Sequence, residues 1–255
     1  MTDIAHLAKI VDEAARTATA ISQFTESGPL TSDAAYAVQA ASVGRRLARG
    51  ERLVGLKMGL TSRAKMAQVG VHEAVWGRLT DAMRLEEGGV LSRARYVHPR
   101  VEPEIAFLLK KDLIGDVSLA EAQAAIEAIA PAMEVIDSRY KDFKFALADV
   151  IADNSSSSGF VLGSWNRPDL DLANLGIVME IDGRPVEIGS SAAILGDPVR
   201  SLVMAARIAG PILGGLKAGW TVLAGGATAA LALAVGQHVR TTIQKMGSVS
   251  IRVVE

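Results

Sequence analysis

The stretch Val101-Glu102-Pro103-Glu104-Ile105-Ala106-Phe107-Leu108-Leu109 first alternates in side-chain character and then becomes wholly apolar. That pattern predicts a strand that enters a hydrophobic core. Downstream, Ser118 and Glu121 form a capping box for an Ala-rich helix over residues 119–130. Residues 133–136 and 159–163 read as two further strands. The clearest hairpin is residues 176–181, the dipeptide Asp182-Gly183 and residues 184–188, because Asp-Gly suits a type I′ turn. A helix follows over 198–208, then strands at 221–223, 238–243 and 249–254. Upstream, residues 52–59 read as a short strand ending in a glycine turn, and 62–69 as a short helix.

Residues 1–50 have a different period. Ile4, Leu7, Ile10, Val11, Ala14 and Ala15 recur at helical spacing, opposite Lys9, Asp12, Glu13 and Arg16. After Glu26-Ser27-Gly28-Pro29, the oxygens of Thr31, Ser32 and Asp33 offer a start for a second helix. Arg45, Arg46 and Arg49 suit its C-terminal dipole, with Gly50 beyond. Many strands with few βαβ units predict an α+β fold: a mixed, mainly antiparallel β-core with flanking helices. The expected division is a helical arm or lid over 1–50 and a β-rich catalytic domain over 51–255.

The chain has 255 residues, 49% of them hydrophobic and 22% charged, with 27 Lys and Arg against 28 Asp and Glu. A net charge of −1 leaves no basic excess for neutralising phosphates, so nucleic acid is not the expected partner. The absence of Cys removes disulfides, thiolate metal sites and a Cys nucleophile. The first twenty residues mix acids among apolar positions and lack the apolar core of a signal peptide. The longest apolar stretch is interrupted by glycines, which does not suit a membrane span. The expectation is a cytoplasmic protein without membrane contact.

Three acids stand out. Glu102 and Glu104 are two apart on an expected strand and so share a face, and Glu134 lies inside another apolar strand. Buried acids repel one another unless a cation joins them, and a hard divalent ion such as Mg²⁺ takes oxygen ligands. The plainer alternative places Glu102 at an edge and pairs Glu134 with Arg139 or Arg100. Lys57, flanked by apolar residues and glycines, is either a desolvated acid–base group or a snorkelling surface lysine. The run Asp153-Asn154-Ser155-Ser156-Ser157-Ser158-Gly159 is either a donor loop for a bound carboxylate or a surface turn. No GxGxxG follows a strand, and GxxxxGK[ST], HExxH and GxSxG do not occur. Gly225-Gly226 reads as a turn or tight packing. The four His, at 6, 72, 98 and 238, show no ligand spacing, and only His98 lies near the carboxylate strand.

Four motifs occur in order: Lys57-Met58-Gly59-Leu60-Thr61-Ser62, His98 through Phe107, Glu134-Val135-Ile136-Asp137-Ser138-Arg139, and Ala152-Asp153-Asn154 with its serines. Together they resemble the hydratase/decarboxylase family of meta-cleavage pathways, which is related to the fumarylacetoacetate hydrolase fold. The resemblance implies Mg²⁺ or Mn²⁺ held by Glu102, Glu104 and Glu134, and Lys57 as the active-site lysine. It further implies a catalytic part for Asp81 and substrate contacts from Ser156 and Arg139. The implied substrate is a small 2-oxo dicarboxylate, in a homo-oligomer able to associate with the pathway hydratase. Tyr140-Lys141-Asp142-Phe143-Lys144-Phe145 and the serine run resemble the decarboxylase branch. So does Val75, which stands before Trp76-Gly77 where hydratases tend to carry an acid. Decarboxylation of 2-oxo-3-hexenedioate is the expectation, with 2-hydroxypenta-2,4-dienoate hydration as the rival and a non-catalytic partner subunit as a third reading.

Overall fold

The computed structural model describes residues 2–62 and 74–255. The short helix expected over 62–69 and His72 lie outside the described residues, apart from Ser62 itself.

Helix α1 (Ile4–Thr17) starts where the Asp3 carboxylate accepts from His6 N, and stops at Ala18, whose φ of 49° breaks the helix. Helix α2 (Ser32–Ala48) is capped by Thr31, whose Oγ1 accepts from Ala34 N. The two helices pack as the expected pair around buried Asp12, which accepts from Arg45 Nε at 2.8 Å and from Arg49 at 2.6 and 2.7 Å. Burial pushes the Asp12 carboxyl up, but the hydrogen bonds and charges of the two guanidiniums outweigh it and leave the group below its usual range.

The β-core has two sheets. The larger uses β1 (Leu53–Gly59), β2 (Val75–Thr80), β3 (Arg84–Leu85), β5 (Arg100–Leu109), β6 (Ile126–Ile136), β7 (Ser157–Leu162), β10 (Thr221–Leu223) and β11 (Leu231–Ala232). Its strand order is β2-β1-β10-β5-β6-β7-β3, with β11 also pairing with β5. The smaller sheet runs β4 (Val90–Ser92), β13 (Gly247–Val254), β12 (His238–Ile243), β8 (Gly176–Ile181), β9 (Arg184–Ser190). Among the described strands, the β1–β10, β3–β7 and β4–β13 pairs are parallel and the rest antiparallel, so the core is mixed and mainly antiparallel. The β8–β9 hairpin turns through Asp182 (φ 52°) and Gly183 (φ 75°), the two positive φ values that a type I′ turn requires.

One expectation is corrected here. Helix α3 (Leu119–Ala125) keeps the capping box, with Glu121 Oε2 accepting from Ser118 N at 2.8 Å, but it ends five residues early. Residues 126–130 belong to β6, where Ile126, Ala128 and Ile129 pair with Leu109, Leu108 and Phe107 of β5. Long-range pairing with an apolar strand overrides the helix preference of alanine.

Helix α4 (Leu147–Ala152) packs on α2, and α5 (Pro198–Leu213) lies on the large sheet. Alternation along the strands sorts the side chains. Ile105, Phe107 and Ile129 pack with Leu202, Ala205 and Ala209 of α5, while Val101, Met133 and Val135 pack against Val239, Val249 and Ile251 of the smaller sheet. The opposite face carries Ala106, Ala130, Ala132, Phe160 and Leu223, and on it lie the acids singled out in the sequence. Among the described residues, no helix is long and apolar enough to cross a membrane.

Candidate active site

Glu102 and Glu104 stand two apart on β5, and the antiparallel register sets Glu134 of β6 directly opposite Glu102. All three side chains therefore project from one face. Their carboxylates bring ligand atoms within 4.8 Å of one another, at exposures of only 8%, 0% and 0%. Beside the carboxylates that face carries the small side chains of Ala106, Ala130 and Ala132.

The edge of β5 shapes the site further. β10 pairs with residues 106–108 and β11 with 100–101, so the ladder is interrupted beside 102–105. Pro103, which has no N–H to donate, fits that interruption. The chain between β10 and β11 loops over the acids, and Gly225 N donates to Glu104 Oε2 at 2.6 Å. A Cβ on Gly226 would lie 1.9 Å from Glu102 Oε2, so any other residue here would displace that carboxylate. Gly225, at φ 105°, is locked in the same way against Thr61. The Gly-Gly pair is thus tight packing, as its sequence suggests, but packing against an acidic cluster.

Lys57, on β1 and 3% exposed, reaches the cluster with Nζ 3.2 Å from Glu134 Oε1. Among the described residues, Glu104 Oε1 and Glu134 Oε2 find no hydrogen-bond partner, and Glu134 Oε1 has only the Lys57 ammonium. Three buried acids facing Lys57, with oxygens that find no partner among the described residues, are a donor set that fits a hard divalent cation. Without a cation the cluster resists ionisation. Burial, then the charges of Glu134 and Glu102, hold Glu104 well above the usual carboxylate range. Burial likewise pushes Glu134 up to about 7, against the pull of Lys57.

These shifts predict a pH signature. In the unfolded chain the Glu134 carboxyl titrates near 4.5, whereas the folded, metal-free site holds its proton to about 7. Between those values the folded state binds more protons, so stability falls as pH rises. Calorimetry in EDTA should show the denaturation midpoint dropping through that window, and Mg²⁺ should restore it on the alkaline side. A midpoint that EDTA and Mg²⁺ leave alike at both ends of the window would contradict the cation site.

The serine loop packs against the same region. Asn154, Ser155 and Ser156 have φ of 50°, 51° and 60°, three consecutive left-handed residues without a glycine. Such a run persists only where its surroundings hold it. Asn154 Oδ1 accepts from Arg78 N at 2.7 Å and its Nδ2 donates to Arg78 O at 2.9 Å, while Ser155 Oγ donates to Trp76 O at 2.8 Å. Gln39 of α2 ties in the helical pair, donating to Trp76 O and Ile151 O at 3.0 and 3.1 Å. Gly77 makes this contact feasible, since a Cβ there would lie 2.3 Å from Asn154 O and 3.3 Å from Lys57 Cε. The loop is therefore seated beside Lys57, with Ser156 Oγ buried and without a hydrogen-bond partner among the described residues.

The structure brings together Glu102, Glu104, Glu134 and Lys57 and seats the Ser156 loop beside Lys57. It gives the other two candidates different partners. Asp81, just beyond β2, accepts from Arg52 N and Nε, both at 2.9 Å, and clasps the start of β1. Arg139 is buried, and its donors go to Asp153 Oδ1, Oδ2 and O and to Ser158 Oγ, so it anchors the serine loop. Burial pushes Asp153 up to about 6, with Arg139 opposing the rise. The clasp that Gln39 and Gly77 make on the serine loop had no sequence signal, because nothing local marks a long-range contact.

The sequence profile of the Fumarylacetoacetate (FAA) hydrolase C-terminal family matches residues 53–254. A 4-oxalocrotonate decarboxylase of a Pseudomonas species is 57% identical over 247 residues, 97% of this chain and 96% of that protein. A 2-hydroxyhexa-2,4-dienoate hydratase of Comamonas testosteroni is 36% identical over 249 residues, 95% of this chain and 94% of that protein. Solved 4-oxalocrotonate decarboxylase from Pseudomonas putida G7, complexed with magnesium and adipate, is 40% identical and superposes with a TM-score of 0.96, covering 100% of this chain and 99% of that one.

Proposed function

The chain belongs to the fumarylacetoacetate hydrolase C-terminal family, and from that premise we propose that it decarboxylates 2-oxo-3-hexenedioate to 2-hydroxypenta-2,4-dienoate and CO₂. The observation that carries this reading is the buried cluster of Glu102, Glu104 and Glu134 with Lys57 3.2 Å away. The similarity to 4-oxalocrotonate decarboxylases, higher than that to the hydratase, favours decarboxylation over hydration.

The three glutamates hold a divalent cation, Mg²⁺ or alternatively Mn²⁺. When bound, that cation supplies positive charge to the 1-carboxylate and 2-oxo end of the substrate, where negative charge accumulates. The substrate is its own electron sink. As the bond to the remote carboxylate breaks, its electron pair forms the terminal alkene, the existing alkene shifts, and the 2-oxo oxygen takes the charge and then one proton. In this reading Lys57, 3.2 Å from Glu134, holds the proton for that oxygen. Ser156 Oγ, buried without a partner among the described residues, donates to the substrate from the serine loop. Arg139 fixes that loop through Asp153. Val75, buried in β2 and paired with Gly59, offers only an apolar side chain where water activation would need a base.

The same reading makes the protein a cytoplasmic carboxy-lyase of aromatic catabolism by meta-cleavage. A homo-oligomeric state and association with the pathway hydratase rest on the family resemblance alone. The two chemistries are separated by incubating the Mg²⁺-loaded protein with 2-oxo-3-hexenedioate and, separately, with 2-hydroxypenta-2,4-dienoate, and identifying products by NMR. The expected result is CO₂ and the dienoate from the first and no hydration of the second. Hydration without CO₂ release makes the protein a hydratase.

A further inference from the structure

Lys57 and Arg100 both stand on the sheet face of the carboxylate cluster, on opposite sides of it along the strand direction. Lys57 is in register, through Leu223, with Ala106, two residues past Glu104. Arg100 opens β5 two residues before Glu102 and pairs with Ile136, two residues beyond Glu134. Its Cα thus stands one pleat from that of Glu102, roughly 6.7 Å along the strand, a span comparable to a six-carbon chain.

Arg100 is half-buried and forms no ion pair with a carboxylate among the described residues. Its Cζ lies 4.1 Å from the centroid of the Phe143 ring. That ring is itself wedged, meeting Phe145 at 5.3 Å and His98 at 6.3 Å, both edge-on. Asp142 (φ 58°) and Phe143 (φ 55°) are consecutive left-handed residues, a conformation kept only where the surroundings impose it. Stacking occupies the flat face of a guanidinium and leaves its N–H edges free, and those edges match a carboxylate in a two-bond fork.

We propose that Arg100, held by Phe143, receives the remote carboxylate of the substrate and makes the site selective for dicarboxylates over monocarboxylates. This rests on the decarboxylase reading for the identity of the substrate, not for the existence of the subsite. Arg100 is then a specificity residue with a distinctive kinetic mark. The remote carboxylate is charged in the bound substrate and loses that charge as CO₂ departs, so an ion pair there favours the ground state over the transition state. Removing it raises KM and leaves kcat unchanged or higher.

The test compares wild type, Arg100→Met, Arg100→Lys and Phe143→Leu. Calorimetry on the Mg²⁺-loaded proteins measures binding of hexanedioate (adipate) and of hexanoate, and kinetics with 2-oxo-3-hexenedioate gives KM and kcat. Arg100→Met is expected to weaken hexanedioate by roughly 10- to 100-fold and to leave hexanoate unchanged, with KM following hexanedioate. Arg100→Lys recovers part of the loss, and Phe143→Leu gives a smaller loss of the same kind. Equal weakening of both ligands, or of neither, overturns the proposal. Should Arg100→Met fail to fold, an unchanged hexanedioate-to-hexanoate ratio in Arg100→Lys overturns it as well. A wild type that prefers hexanedioate through Arg100 but releases no CO₂ overturns the reaction and keeps the subsite. A wild type that decarboxylates while Arg100→Met keeps the ratio does the reverse.

Discussion

Glu104→Gln should reduce turnover of 2-oxo-3-hexenedioate by roughly 10³-fold or more, equivalent to about 4 kcal/mol of lost transition-state stabilisation. The substitution is isosteric, and the Gly225 N–H that now donates to Glu104 Oε2 at 2.6 Å can donate to the amide oxygen instead. The fold should therefore survive. What disappears is one anionic donor of three, and divalent affinity should fall by more than the roughly 10- to 100-fold typical of losing an outer-shell partner. The metal-free protein should respond in the opposite sense. Glu104 is fully buried beside two other acids, so neutralising it relieves burial and repulsion and raises the denaturation midpoint in EDTA at pH above 7. A variant more stable without metal, yet unable to bind metal, distinguishes a cation site from an ordinary structural cluster. Retained Mg²⁺ affinity in Glu104→Gln would contradict the assignment.

The second large effect belongs to Lys57. Lys57→Met should lower kcat by about 10²- to 10⁴-fold, the range expected when a positioned proton carrier is lost. Metal binding should persist, because the three carboxylates remain and a competing cation 3.2 Å from Glu134 has been removed. Lys57→Arg should recover the charge but little of the rate, since a guanidinium does not give up its proton. Metal titration beside steady-state kinetics separates the cases. Glu104→Gln loses metal and rate together, Lys57→Met loses rate alone, and Arg100→Met shifts KM. A Lys57→Met protein with wild-type kcat would remove Lys57 from the chemistry.

How much of this was legible depended on sequence distance. The same-face placement of Glu102 and Glu104 follows from strand periodicity and was available from the nonapeptide alone. That Glu134 falls opposite Glu102 is a matter of β5–β6 register, which local pattern does not encode but the ordered family motifs imply. The Ala-rich stretch after Leu119 misled for a related reason, because its last residues pair with Phe107–Leu109 and alanine propensity yields to that pairing. Gly225-Gly226 could be read as a tight turn, but what it is tight against, the Glu102 and Glu104 carboxylates, is a long-range contact. Asp81 and Arg139 illustrate the converse. The family resemblance points to both, and the structure engages them with Arg52 and Asp153, partners that sequence spacing does not single out.

The most direct measurement uses 2-oxo-3-hexenedioate isotopically labelled at its remote carboxylate, with CO₂ trapped from reactions run with Mg²⁺ or with EDTA. The account predicts that the label leaves as CO₂, that EDTA stops its release, and that added Mg²⁺ restores it. Label retained in the product, or released equally with EDTA, would contradict a metal-dependent decarboxylase built on Glu102, Glu104 and Glu134.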